Sequence, residues 1–177
     1  ASAHPKMRFR FSTSNPQDMS ISVIKTMAKH ENICNYIHLP VQSGSNRILK
    51  AMNRQHSRED YFELIDNIKK YLPDCSISHD LICGFPTETE QDHQDTLSLM
   101  QYVKYSFGYM FSYSERPGTL AARKLEDDIP EATKKLRLQE VVALQQPLLR
   151  IEGGLAEAVA VLEQLYHRAA HRRALGR

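Results

Sequence analysis

The chain reads as an α/β protein: a partial parallel (β/α) barrel of about four strands with flanking helices, plus a C-terminal helix. Three observations lead there. Short apolar or alternating runs, of strand length, alternate with stretches whose apolar residues fall at helical spacing. The helical stretches between them are long enough for the crossovers that parallel strands need. Two of the apolar runs also end alike, in small polar residues that open a helix. They are His38-Leu39-Pro40-Val41-Gln42-Ser43-Gly44-Ser45-Asn46-Arg47 and Leu81-Ile82-Cys83-Gly84-Phe85-Pro86-Thr87-Glu88-Thr89. Such strand ends present backbone N–H groups at a helix start, on the edge where parallel sheets bind ligands.

In order, Arg8 to Thr13 alternates basic and aromatic residues and predicts a first strand, ended by Ser14-Asn15-Pro16. Ile21, Ile24, Met27 and Ala28 predict a helix from Ile21 to His30. Tyr36 to Val41 predicts the second strand, followed by a short helix from Asn46 to about Met52. Ser57-Arg58-Glu59-Asp60 has the form of a capping box, with Asp in place of the usual Glu, and Phe62, Ile65, Ile68 and Leu72 line the helix that follows. Ile77 to Ile82 predicts the third strand. Thr89 with Asp92 starts a helix whose buried stripe is Leu97, Met100 and Val103. Tyr109 to Tyr113 predicts the fourth strand, ended by Arg116-Pro117-Gly118-Thr119. Asp128-Ile129-Pro130-Glu131 predicts the last helix of this part, with Asp128 as cap and Pro147 as its interruption. The order is β-α-β-α-α-β-α-β-α. Residues 1–147 form the barrel portion, and 148–177 a helical tail led in by Gly153-Gly154.

The bulk numbers restrict the function classes. At 177 residues and 41% hydrophobic, the chain has material for one folded core. A net charge of +2 does not by itself argue for nucleic acid. No apolar run approaches a membrane span, and the basic, polar N-terminus lacks the apolar core of a signal peptide, so a cytoplasmic location is expected. Cys34, Cys75 and Cys83 are odd in number and lack C-x-x-C spacing, which argues for buried thiols rather than a disulfide framework or a metal site.

The segment Tyr36 to Arg54 resembles the corresponding part of the MiaB-type tRNA methylthiotransferases, a family of radical S-adenosylmethionine enzymes. Phe11 to Pro16, Asp80 to Thr89, and Tyr113 to Ala122 fit the same family in the same order, so that the resemblance covers about residues 7 to 146. It implies a transferase. Such enzymes add a methylthio group to isopentenyladenosine beside the tRNA anticodon, using S-adenosylmethionine and [4Fe–4S] clusters. The radical made from S-adenosylmethionine removes a hydrogen from the base, and a second cluster supplies sulfur. Here the chain departs from the family. The Cys-x-x-x-Cys-x-x-Cys loop is missing, as are the N-terminal domain with its further cluster cysteines and the strand that binds the methionine amine. The chain therefore resembles the C-terminal portion of the radical domain, inactive alone and partnered by the missing N-terminal half.

The resemblance also implies site residues. Gln42, Ser43, Gly44 and Ser45 would contact the ribose and carboxylate side of the cofactor, the other reading being a plain strand-to-helix turn with a Ser cap. Ile82, Gly84, Phe85 and Pro86 fit an adenine-supporting turn. Thr87 stands where the family commonly has Gly, and Glu88 either caps the next helix or contacts the site. Asp80 is expected on the strand facing the barrel interior, with Arg116 as its candidate partner or as a tRNA or cofactor contact; a solvated surface pair is the alternative. His38 reads as a satisfied core histidine rather than a catalyst. Lys124, Lys134, Lys135 and Arg137 sit among acidic residues and read as a solvated helix face rather than a phosphate contact. An alternative to the enzyme fragment is a non-catalytic half-barrel that acts as a binding or interaction module. Either way, an open sheet edge predicts self-association.

Overall fold

A computed structural model of the chain describes residues 1–10 and 15–149. At its centre is a three-stranded parallel sheet, β1 Tyr36–His38, β2 Ser76–Cys83 and β3 Phe107–Ser112, in that spatial order. His38 stands opposite Ser78, and Asp80 opposite Tyr109. Around it run α1 Ile21–Lys29, α2 Asn46–Ala51, α3 Arg58–Tyr71, α4 Glu90–Val103, α5 Leu120–Lys124 and α6 Glu131–Leu149, with a 3-10 turn at Pro16–Asp18. The parallel α/β class is as the sequence predicts.

The strands differ from expectation in detail. The predicted first strand is represented by one parallel bridge, Phe9 with Ile33, and part of it lies outside the described residues. The regular pairing of β1 with β2 ends where one extra residue enters the first strand: Leu39 N–H donates to Ser78 O and Gln42 N–H to Asp80 O, each at 2.8 Å, so three residues step past two of β2. β3 begins two residues earlier than predicted, at Phe107, and ends at Ser112.

Strand parity divides the sheet into two unlike faces. Ile37, Leu39, Ile77 and Leu81 point one way and are buried together with Tyr61, Ile65 and Ile68 of α3, Leu99, Met100 and Val103 of α4, and Val141 of α6. Burial of each such aliphatic side chain stabilises the fold by roughly 1.5–3 kcal/mol. Three buried polar side chains within this core are chained to one another and to the backbone: Tyr61 donates to Leu39 O at 3.0 Å, Tyr105 to the Tyr61 hydroxyl at 2.9 Å, and the Gln145 amide to Tyr105 O at 2.8 Å. No described helix is long and apolar enough to cross a membrane.

The helix starts follow the sequence closely. Ser57 with Asp60 and Thr89 with Asp92 are both complete capping boxes. α6 departs from expectation at both ends. Asp128 does not cap it; its carboxylate instead accepts the Thr87 N–H at 2.7 Å. Pro147 does not end it, since the helix runs to Leu149. A proline inside a helix removes one backbone hydrogen bond without having to end the helix. α5 has no counterpart in the expected order; Thr119 caps it, accepting the Ala122 N–H. The expected tail helix after Gly153-Gly154 lies outside the described residues.

Candidate functional site

The second face of the sheet carries side chains of a different kind. Tyr36 and His38 from β1, Ser78 and Asp80 from β2, and Phe107 and Tyr109 from β3 share it. The Ser78 hydroxyl lies 2.7 Å from both the Tyr36 hydroxyl and His38 Nδ1. His38 Nε2 is 3.5 Å from Asp80 Oδ1. The Tyr36 and Phe107 rings stack at 5.7 Å, and Tyr109 meets His38 edge-on at 6.4 Å. Asp80 Oδ1 is buried yet accepts no hydrogen bond among the described residues. An acceptor in that condition is suited to a donor that arrives with a ligand.

Two turns close this face at the C-terminal ends of the strands. In the first, Gln42 is buried and adopts φ 73°, a left-handed conformation uncommon for a residue with a side chain. Its carbonyl accepts the Ile82 N–H at 3.0 Å, so the turn is tied to β2. Ser43 and Ser45 are directed inward. Ser43 Oγ accepts the Ser45 N–H at 3.2 Å, and Ser45 caps α2 by accepting the Ile48 N–H. Gly44 is pressed against α4, where a Cβ would stand 2.5 Å from the backbone of Asp95 and Thr96. Its N–H donates to Thr96 Oγ1 at 2.9 Å and its carbonyl accepts from Arg58 at 2.8 Å. Gly44 and Ser45 thus shape the turn from behind.

Asp92 joins the first turn to the second. Its carboxylate accepts from the Ser45 hydroxyl at 2.5 Å, from the Thr89 N–H at 2.7 Å, and from the Arg47 guanidinium. Burial pushes the Asp92 carboxyl up, but the donors of Arg47, Ser45 and Thr89 outweigh it and hold it well below the ordinary carboxylate range. Arg47 also reaches Thr87, donating to its hydroxyl at 3.1 Å and its carbonyl at 2.5 Å.

In the second turn Gly84 has φ 71° and Thr87 φ 69°. Glu88 folds back to accept the N–H groups of Gly84 and Phe85, and so neither caps α4 nor faces outward. Phe85 and Pro86 are buried, and the Phe85 ring meets Tyr113 at 5.2 Å. Lys134 and Arg137 of α6 pack behind this turn, 1% and 6% exposed, instead of lying on a solvated face. The Lys134 stem fills the space beside the Gly84 Cα, and its ammonium pairs with Asp127 at 2.6 Å and Glu131 at 3.0 Å.

Of the predicted residues, Gln42, Asp80, Ile82 and Gly84 come together at the strand ends. Arg116 does not join Asp80, whose ionic neighbour is His38. Arg116 is exposed, in a loop closed by Thr119 donating to the Arg116 carbonyl. His38 is half-buried and bonded within the open face, not in the apolar core. Arg47, Asp92, Lys134 and Arg137 were missed as builders of the site. The shared parity of His38, Ser78 and Asp80 was a readable signal; the inward course of α6 was not.

The cysteines do not fit an iron–sulfur cluster. Among the described residues no three His, Cys, Asp or Glu side chains converge on a point that could hold a metal. Cys75 and Cys83 sit at opposite ends of β2, roughly 25 Å apart at strand rise. Burial pushes both thiols up to about 12. Cys34 lies near Arg8, at 3.6 Å, and hydrogen bonds from Arg10 and Arg8 lower its thiol.

The family model described as the radical SAM superfamily matches residues 2–100. The chain is 78% identical over 146 residues to the tRNA-2-methylthio-N(6)-dimethylallyladenosine synthase of Christiangramia forsetii, covering 82% of this chain and 30% of that protein. It is 68% identical over 160 residues to the enzyme of the same name from Flavobacterium johnsoniae, covering 89% and 33%. The chain thus spans about a third of the length of these relatives. In structure it is similar to the Escherichia coli coproporphyrinogen III oxidase HemN, with a TM-score of 0.64 at 22% identity over 81% of this chain and 33% of that one. That likeness supports the partial-barrel fold. The family match over 99 of 177 residues, on a parallel sheet flanked by helices, establishes that the chain belongs to the radical SAM superfamily.

Proposed function

We propose that this chain is the C-terminal portion of the radical domain of a tRNA methylthiotransferase, and that it holds the nucleoside end of S-adenosylmethionine. The observation that carries the reading is the pair of tied turns, Gln42–Ser45 and Gly84–Glu88, beside the unsatisfied Asp80 Oδ1, in a chain so similar to named synthases. In this reading Asp80 accepts from a ribose hydroxyl, with His38 fixing its carboxylate. Ile82 and Gly84 present a flat wall to the adenine, and Gln42 offers its side chain to the ribose. S-adenosylmethionine, when bound to a cluster, supplies the reactive group; the cluster ligands would come from another part of the complete protein. The stacked rings of Tyr36 and Phe107, with Tyr109 edge-on to Phe107, would line the barrel interior and exclude water from the reacting nucleoside.

The partners implied are the rest of the barrel, which covers the open face, and the anticodon region of tRNA in the cytoplasm. Without that cover, β1 and β3 are sheet edges through which copies of the chain would associate. A second reading, for the chain on its own, is a half-barrel that binds but does not react; it accords with the separation of Cys34, Cys75 and Cys83, which do not converge among the described residues.

A segment exchange tests the first reading. The matched part of the Christiangramia enzyme is replaced by this chain's matching residues, and its tRNA is analysed for methylthiolated nucleoside by mass spectrometry. Retained modification, lost on Asp80→Asn, supports the proposal; a stable hybrid without modification contradicts it.

A further inference from the structure

Nothing in the proposed reading uses α6, yet α6 supplies the only described cation that grips the Gly84–Glu88 turn at Glu88. Arg137 donates to the Glu88 carbonyl at 3.0 Å, lies 3.7 Å from the Glu88 carboxylate, and lies 3.5 Å from the carboxylate of Glu90. The Glu88 carboxylate in turn accepts the N–H groups of Gly84 and Phe85. Both side chains are buried. Gly84, at φ 71°, has the freedom to leave that conformation cheaply, so the turn depends on its fastening.

We propose that Arg137 is a positioning residue for nucleoside binding: by anchoring Glu88 it fixes the Gly84–Phe85 backbone on which the adenine rests. The proposal rests on the reading of this turn as the nucleoside seat. Its physical basis is the charge on Glu88. A carboxylate accepts two N–H donors well, and a neutral carboxyl does so poorly. Burial pushes the Glu88 carboxyl up, toward neutrality, while Arg137 and the turn's N–H groups pull it back. The other groups facing this cluster are His93 and Glu90 on α4, Glu140 on α6, Arg47 on α2 and the Cys83 thiol on β2. Arg137 is the ion-pair partner of Glu88 among the described residues, at 3.7 Å.

The test compares the full chain with Arg137→Met and Arg137→Lys by nuclear magnetic resonance, with S-adenosylhomocysteine as the probe. In Arg137→Met, the Gly84 and Phe85 amides should exchange at least about tenfold faster, while those of Leu39 and Ser76 stay within about twofold. The pH at which the Gly84 amide signal titrates with Glu88 should move upward, and affinity for the probe should fall about tenfold. Arg137→Lys should restore much of each effect. Uniformly faster exchange across β2, or an unmoved Gly84 titration, would make Arg137 a general stabiliser and overturn the proposal. Unchanged affinity in Arg137→Met would overturn it as well. If the unaltered chain fails to bind the probe while the turn still responds, the nucleoside seat itself is refuted, an outcome distinct from the others.

Discussion

The Ser45 hydroxyl donates to the Asp92 carboxylate at 2.5 Å, and by that bond the turn after β1 is tied to the helix that follows β2. Arg47 and Thr89 meet at the same carboxylate, so one side chain serves two strand-to-helix connections. Asp92→Ala should therefore cost about 2–3 kcal/mol, the sum of a lost cap and a lost charge-assisted bond. Denaturant unfolding at neutral pH measures it. Because the folded carboxyl is held below its ordinary value, its contribution is complete above about pH 4 and fades as pH falls toward the folded value. The variant should lose less stability than the unaltered chain on acidification from pH 5 to pH 2.5. An equal loss would remove Asp92 from the acid response.

Gly44 lies against the α4 backbone with no room for a methyl group. Gly44→Ala should destabilise by about 1–3 kcal/mol, the cost of forcing packed elements apart. The same substitution at Gly118, which has open space around it but φ 85°, should cost about 1 kcal/mol from backbone strain alone. Thermal unfolding of the two variants separates crowding from strain; equal shifts would deny the close approach at Gly44.

Thr87 occupies a left-handed position without being glycine, and Arg47 and Asp128 hold it there. Thr87→Gly relieves strain of about 1 kcal/mol but loses one hydroxyl contact to Arg47. The net change in unfolding free energy should lie within about 1 kcal/mol of zero. A loss clearly beyond that would mean that the hydroxyl, not the backbone, governs the turn.

The three thiols should react in a definite order. Hydrogen bonds from Arg10 and Arg8 lower Cys34, whereas burial raises Cys75 and Cys83 to about 12. Brief alkylation with iodoacetamide at pH 7.5, read by peptide mass spectrometry, should mark Cys34 first. Faster labelling of Cys83 would contradict its burial at the end of β2.

What the residues revealed in advance was local. Ser57 with Asp60 and Thr89 with Asp92 announce their helices because a capping box is complete within four residues. Gln42 and Gly84 could be placed at strand ends from the apolar runs before them. The failures were of longer range. Lys134 and Arg137 look solvated beside Glu131 and Glu140, and only the docking of α6 on β2, β3 and α4 shows them to be buried. Asp80 met His38 rather than Arg116 because strand register, which short runs leave open, set its neighbour. Asp128 matched a cap by spacing but was drawn away by the Thr87 N–H, forty-one residues distant in sequence.

The central claim is that the strand ends of this chain seat the nucleoside of S-adenosylmethionine. The most direct measurement is a titration of the amide-labelled chain with S-adenosylhomocysteine, followed by nuclear magnetic resonance. The account predicts saturable shifts concentrated at Gln42, Ser43, Asp80, Ile82 and Gly84, abolished by Asp80→Asn in a chain that remains folded. Shifts that spare these residues at high ligand concentration, or none at all, would contradict it.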